Sequence, residues 1–302
     1  MDLSVRPLAA ADFEAVVALD ARIGGGARRG YFEQRLRAAQ RQPRRHLQLA
    51  AEARGALAGF VLARKAGGEY GDPDDSVVLE AFGVDPAVRR QGTARRLLGR
   101  LEELARERAI LALATQAVWS AHDILAFLHG AGFELAPRRI FERPVQRMPG
   151  VDEDRDLPPP LVRNLRAGDL EALARVDALI TGQDRTGYLR RKVDEVIHES
   201  AIAVSLVVED HGFPVGFAMA RVDFGDFGHV GASASLDTIG VDPRFSHQGL
   251  ATALMTQMID NLAALHVERL ETEVAPGAHD LQRFLLGFGF APSQRMAFRK
   301  IL

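Results

Sequence analysis

The stretch VRRQGTARRLL, residues 88–98, runs from arginines through a glycine into an apolar helical stripe. Such a junction suits an anion. A helix N-terminus carries unpaired N–H groups and about half a positive charge, and glycine there lets the backbone come close to a phosphate. Arg89, Arg90, Arg95 and Arg96 add the charge-assisted donors that a diphosphate or a 3′-phosphate would use. A plain strand-to-helix turn with a solvated basic face is the other reading of one such loop. Here the loop is written twice: FSHQGLATALM, residues 245–255, keeps the Gln-Gly pair and a following alanine and drops the arginines. Some way upstream of each loop stands an acid, Glu80 in one copy and Asp237 in the other. A carboxylate so placed can take a proton from a nucleophile; it can also be a strand-end acid on a solvated face.

The repetition extends far beyond the loop. Gly92 and Gly249 lie 157 residues apart (249 − 92), and the same offset links Gly83 to Gly240, Asp85 to Asp242 and Pro86 to Pro243. It also links Gly132-Phe133 to Gly289-Phe290, His122-Asp123 to His279-Asp280 and Tyr31 to Tyr188. One constant offset from start to end means two copies of one domain, and the period is far too long for a solenoid. Between the copies, PVQRMPGVDEDRDLPPP is proline-rich, acidic and without an apolar period, as an extended linker would be. The boundaries expected are 1–146 for the first domain, 147–157 for the linker and 158–302 for the second.

Each copy reads as a short strand, two helices, a hairpin, a central strand, the Gln-Gly loop with its long helix, then a strand, a short helix and closing strands such as RRIFERPV. This order predicts an α+β fold of two tandem domains, each a mixed, mostly antiparallel twisted sheet flanked by helices. Gly83 and Gly240 interrupt the central strands near their ends, where glycine marks a bulge or a close backbone approach.

The pattern V-D-P-x-x-x-x-Q-G-x-A, with Gly-Phe about forty residues on, resembles the acetyl-CoA motif of the GNAT superfamily of N-acetyltransferases. The first copy fits that family's Arg/Gln-x-x-Gly-x-Gly/Ala loop through Arg89, Gly92 and Ala94; the second keeps Gly249 and Ala251 but has Ser246 in the leading place. The resemblance spans nearly the whole chain outside the linker. It implies acetyl-CoA as co-substrate, with its diphosphate on Arg89, Arg90, Gln91, Gly92, Thr93 and Ala94 in one copy and on His247, Gln248, Gly249, Leu250 and Ala251 in the other. It implies a central strand that splays from its neighbour. The backbone at Phe82 and Val84, and at Ile239 and Val241, would then face the thioester. It also implies a base at Glu80 or Asp237. The family's usual acid, a tyrosine four residues before the late Gly-Phe pair, is Leu128 in one copy and Leu285 in the other. Glu271 and Glu273 are further candidate acids, on the strand beside the splay.

Composition narrows the rest. A net charge of −2 gives no general affinity for nucleic acid or anionic membrane. With no cysteine, thiolate nucleophiles, disulfides and Cys-ligated metals are excluded, and no metal is expected. No apolar run is long enough to span a membrane, and the first residues do not read as a signal peptide, so the expected location is cytoplasmic. Two functions fit: an N-acetyltransferase acting on a primary amine of a small molecule or peptide, or a non-catalytic acyl-CoA-binding scaffold of the same fold. The two domains are expected to pack as a pseudo-dimer, with the more basic first loop holding the donor more firmly.

Overall fold

The structure, a computed structural model, describes residues 3–24, 26, 28–71, 75–146, 160–198, 204–223 and 231–302. The linker expected at 147–157 lies outside the described residues. The first half contains β1 (Leu3–Pro7), α1 (Phe13–Gly24), α2 (Arg29–Arg41), β2 (His46–Ala53), β3 (Ala56–Gly67) and β4 (Asp75–Val84). It continues with α3 (Thr93–Glu107), β5 (Ala112–Val118), α4 (His122–Gly130), β6 (Glu134–Leu135) and β7 (Arg139–Pro144). The second half repeats this order as β8 (Leu161–Asn164), α5 (Leu170–Thr181), α6 (Thr186–His198), β9 (Leu206–Asp210), β10 (Phe213–Asp223) and β11 (Ser233–Val241). It closes with α7 (Leu250–Ala264), β12 (Arg269–Val274), α8 (His279–Gly287), β13 (Ala291–Pro292) and β14 (Arg295–Ile301). The result is two mixed, mostly antiparallel seven-stranded sheets flanked by helices.

Helix spacing explains which face each helix buries. In α3 the residues Leu97, Leu98, Leu101 and Ala105 recur every three to four positions and are buried together against Val61, Val77 and Leu113 of the sheet. On the opposite sheet face, Val16 and Leu19 of α1 and Tyr31 and Phe32 of α2 pack on Phe60, Leu62 and Ala81. The second half repeats both layers, with α7 on one face and α5 and α6 on the other.

The sheets differ from the sequence reading in one respect. The closing strand of each copy does not complete its own sheet. Strand β7 pairs antiparallel with β12 along Arg139–Pro144, and β14 pairs with β5 along Arg295–Ile301. The sheet orders are therefore β1-β2-β3-β4-β5-β14-β6 and β13-β7-β12-β11-β10-β9-β8. Phe141 accordingly lies in the second half's core and Phe298 in the first's. The two copies offer the same apolar alternation, so either sheet accepts either closing strand, and the exchanged strand covers β5 in one sheet and β12 in the other.

The central strands part from their parallel neighbours. Among the described residues β4 pairs with β5 at Val77↔Leu113 and Val78↔Ala114, and β11 pairs with β12 from Ser233↔Arg269 to Ser235↔Glu271. Just beyond, Thr115 Oγ1 donates to the carbonyl of Leu79 at 3.0 Å, and Thr272 Oγ1 to that of Leu236 at 2.8 Å. A threonine at the vertex of each V thus satisfies a carbonyl that the missing neighbour would otherwise bond.

Candidate active site

Both Gln-Gly loops have the same backbone. Asp85 accepts from the Ala87 N–H at 2.9 Å and Asp242 from the Arg244 N–H at 3.0 Å, each starting a single 3-10 turn. Arg90 and Gly92 follow with φ of 61° and 84°, and His247 and Gly249 with 62° and 76°. The left-handed glycine turns the chain into α3 or α7, so that the first N–H groups of the helix face outward without helical partners. A Cβ on Gly92 would meet nothing within 4 Å, so the space over the loop is open. Arg89, Arg90, Gln91 and Gly92 are exposed, as are His247 and Gln248, while Ala94, Gly249 and Ala251 are half-buried and Thr93 and Leu250 are buried. Thr93 Oγ1 is buried and has no hydrogen-bond partner among the described residues. An open, N–H-lined helix start with exposed arginines fits an anionic phosphate group. The second loop has the same backbone and less charge.

Phe82 and Val84 on β4, and Ile239 and Val241 on β11, turn their side chains toward the α3 or α7 face. Gly83 and Gly240 prove to be close-approach residues. A Cβ on Gly83 would lie 2.6 Å from the Phe60 ring and 3.1 Å from Ile23, and one on Gly240 would lie 2.6 Å from Ile180. The bulge is three residues earlier, at the acids themselves. The register passes from Leu62↔Ala81 to Ala63↔Leu79, leaving Glu80 as the extra residue, and from Met219↔Thr238 to Ala220↔Leu236, leaving Asp237. A bulge re-aims a side chain, and here it does so identically in both halves.

The two acids then meet different surroundings. Glu80 is buried, with Oε1 2.6 Å from Arg64 Nε and Oε2 3.3 Å from Arg35 Nε, and it lines neither of the two cavities described below. Asp237 is also buried, with Oδ2 2.6 Å from Lys192 Nζ and Oδ1 3.5 Å from Ser235 Oγ. Lys192 sits where Arg35 sits in the first half, 157 positions on. Glu69 joins the two arrangements, 2.9 Å from Arg64 and 3.0 Å from Lys192. A buried chain of alternating charge, Glu80–Arg64–Glu69–Lys192–Asp237, therefore crosses from one half to the other. Burial pushes the Glu69 carboxyl up, but Arg64, Lys192 and Arg221 hold it well below the usual range.

A cavity of about 190 Å³ passes through the gap between β11 and β12. On one side it is bounded by Asp177 and Arg185 from the α5–α6 layer, on the other by Leu281 and Leu285 of α8, with Asp237 and Ile239 between. Burial raises the Asp177 carboxyl against the opposing effect of Arg185. In the first half Phe82 of β4 and Phe127 of α4 form an aromatic pair with ring centroids 5.4 Å apart, and neither lines either cavity. A larger cavity of about 400 Å³ lies at the seam of the halves and shares Tyr70, Glu273 and Ala275 with the first.

A protein-family model described as the acetyltransferase (GNAT) family matches residues 14–133 and again 173–290. The chain belongs to the GNAT family. Family membership implies an acyl-CoA donor, and each match carries its own Gln-Gly loop. The fold is similar to that of a tandem GNAT protein from the clavulanic acid biosynthesis pathway, with a TM-score of 0.69 and 16% identity over 99% of this chain and 98% of that one. It is also similar to a GCN5-related N-acetyltransferase from Sphaerobacter thermophilus, with a TM-score of 0.64 and 18% identity over 99% and 95%. A putative acetyltransferase from Pyrococcus horikoshii gives 0.57 and 15% over 99% and 89%. At these identities the likeness concerns the fold alone. No curated protein sequence matches this one. Among the described residues no helix is long and apolar enough to cross a membrane, and no group of three His, Asp or Glu could hold a metal ion.

The sequence singles out both loops and the acids Glu80 and Asp237, with the bulge assigned to the neighbouring glycines rather than to the acids. Arg35, Arg64, Glu69 and Lys192 are passed over. The 157-residue offset aligns Arg35 with Lys192 and Arg64 with Arg221, so paired basic residues were a usable signal. Tyr70 aligns with Phe227 and gave none.

Proposed function

We propose that this GNAT protein is an N-acetyltransferase that moves an acetyl group from acetyl-CoA to a primary amine of a small molecule or peptide, and that transfer takes place in the second half. The supporting observation is the cavity through the β11–β12 gap, which opens toward α8 on one side and toward α5 and α6 on the other. A donor held on the α7–α8 face and an amine arriving from the α5–α6 face would meet there. Of the two bulge acids, Asp237 borders this passage.

When bound, the co-substrate supplies the activated acyl group. The N–H groups of 248–251 would hold its diphosphate, and a main-chain N–H between Ile239 and Val241 would polarise the carbonyl as a one-donor oxyanion site. An alkyl ammonium ordinarily loses its proton near pH 10.4, so presenting it neutral at pH 7 costs roughly 4–5 kcal/mol. Asp237 is placed to take that proton, directly or through Ser235. Leu285 lines the cavity where the family's usual acid would stand, so the thiolate leaves with help from water or from the ammonium of the tetrahedral intermediate.

The first half supports a different reading of its own. It keeps the more basic loop, but its bulge acid is tied to two arginines and lines neither cavity. These features favour a non-catalytic, acyl-CoA-binding or scaffold role for that half.

Thiol release from acetyl-CoA, followed with a disulfide reagent against a panel of primary amines, tests the proposal. The chain has no cysteine, so every thiol that appears is CoA. Amine-dependent release supports acetyl transfer. A thermal shift with acetyl-CoA and no release with any amine supports the scaffold reading.

A further inference from the structure

The turn that follows β3 belongs to the first half by sequence but is held by the second. From the second half Arg185 donates to the carbonyl of Gly68 at 2.5 Å and Arg191 to that of Gly67 at 2.7 Å, while Arg138, just before the exchanged strand β7, donates to that of Tyr70 at 3.0 Å. Within this clamp Tyr70 adopts φ 53°, ψ 25°, a left-handed conformation that costs a bulky residue energy and persists where its surroundings over-determine it. The conformation delivers the phenol across the seam. Its hydroxyl lies 2.7 Å from Ser235 Oγ, and it lines both the cavity through the β11–β12 gap and the cavity at the seam. The same passage is lined by Leu285, which has no proton to give, and by Asp237 and Glu273.

Resting on the acyl-transfer reading of the second half, we propose that Tyr70 is a substrate-contacting residue of that site, supplied by the first half, whose phenol orients the amine beside Asp237. Three features carry this. The hydroxyl stands among groups that attract an ammonium, Asp237 and Glu273, without itself carrying charge. It is tied to the bulge acid through Ser235, which lies 3.5 Å from Asp237 Oδ1, so donation from Tyr70 to Ser235 leaves the serine proton directed at the carboxylate. Burial and the charges of Asp237, Glu273 and Glu69 push the phenol well above its ordinary range, which keeps it uncharged throughout the working pH range, with its oxygen free to accept from the ammonium. The second half's site is then composite: its bulge acid, its loop and its gap are its own, while one wall of its amine pocket comes from the other copy.

Tyr70→Phe in the full chain removes only the hydroxyl. The expected result is a rise of at least about fivefold in the KM for amine, as the loss of one neutral hydrogen bond gives, with the KM for acetyl-CoA unchanged. An unaltered amine KM overturns the proposal. A second readout does not depend on turnover. The chain has three tyrosines, Tyr31, Tyr70 and Tyr188, so a sample labelled at tyrosine Cζ gives three resonances, and Tyr70→Phe identifies one of them. Ethanolamine, putrescine and the tripeptide Ala-Ala-Ala are then added in turn. At least one should move the Tyr70 signal in the wild type. If none does, the phenol does not face the amine and the proposal falls. If the wild type releases no thiol with any amine, the acyl-transfer reading falls, and the Tyr70 signal still decides whether this wall takes an amine.

Discussion

Gln116 Nε2 donates to Glu273 Oε1 at 2.7 Å, and the two residues occupy the same place in their respective halves, 157 positions apart. The local two-fold axis relating the copies therefore passes between them. One strand position carries an amide in the first half and a carboxylate in the second, and the pair forms a directed bond across the axis. Around this point lie the exchanged strands, the buried charge chain and the meeting of the two cavities at Tyr70.

The strand exchange makes the halves interdependent. A fragment of residues 1–146 lacks β14, which covers β5 along all of Arg295–Ile301, and carries β7 with no β12 to pair. Expressed alone it is expected to form a dimer in which each copy takes the other's β7, or to be insoluble, because a bare edge strand pairs with whatever matches it. Light scattering after size exclusion checks this. A folded monomer with native circular dichroism contradicts it.

The bulge acids should separate stability from rate. Removing one partner of a buried, paired charge costs about 3–5 kcal/mol. Glu80→Gln leaves Arg64 and Arg35 facing an amide, so urea unfolding should show a loss of that order. Activity per folded molecule should stay within a few-fold of wild type. Asp237→Asn should lose activity by about a hundredfold near neutrality and recover much of it at high pH, where the amine deprotonates unaided. Equal losses of rate in both variants would show that the two halves share the work.

How much of this could be read from the chain follows from what each feature encodes locally. The Gln-Gly loops and the helix stripe Leu97–Leu98–Leu101 are local patterns, and the structure places them as their spacing demands, whereas the bulge falls on Glu80 and Asp237 rather than on the glycines the sequence points to. Gly83 and Gly240 had two readings, a bulge or a close approach. Only the positions of Phe60, Ile23 and Ile180 decide for the second, and they come from elsewhere in the chain. The choice of sheet for RRIFERPV has no local signature, since period-two alternation says which face a residue takes and not which copy of an identical sheet receives it. Tyr70 acts in a half to which its sequence neighbours do not belong.

His46 gives a pH signature independent of catalysis. It is buried at the start of β2, neither ring nitrogen has a hydrogen-bond partner among the described residues, and desolvation lowers its pKa from 6.5 to about 4. The nearby Glu80 carboxylate opposes that shift only in part. Because the folded-state value is the lower one, the unfolded chain binds more protons between about pH 6.5 and 4. Stability is therefore full above pH 6.5 and falls as the pH drops through that window, by at most about 3 kcal/mol. His46→Leu should flatten this part of the urea-midpoint profile between pH 7 and 5. A wild-type profile no steeper than the variant's would show that His46 is protonated in the fold.

The claim that transfer occurs in the second half meets its most direct test in the two loops. Gly92 and Gly249 hold left-handed φ values of 84° and 76°, so glutamate at either brings strain and a negative charge to the site of the expected diphosphate. Acetyl-CoA-dependent thiol release is measured for Gly92→Glu and Gly249→Glu with the amine that the wild type turns over fastest. Gly249→Glu is expected to lose about a hundredfold or more, and Gly92→Glu to stay within a few-fold of wild type. The reverse pattern, with Gly92→Glu inactive and Gly249→Glu unimpaired, would contradict the account and place transfer in the first half.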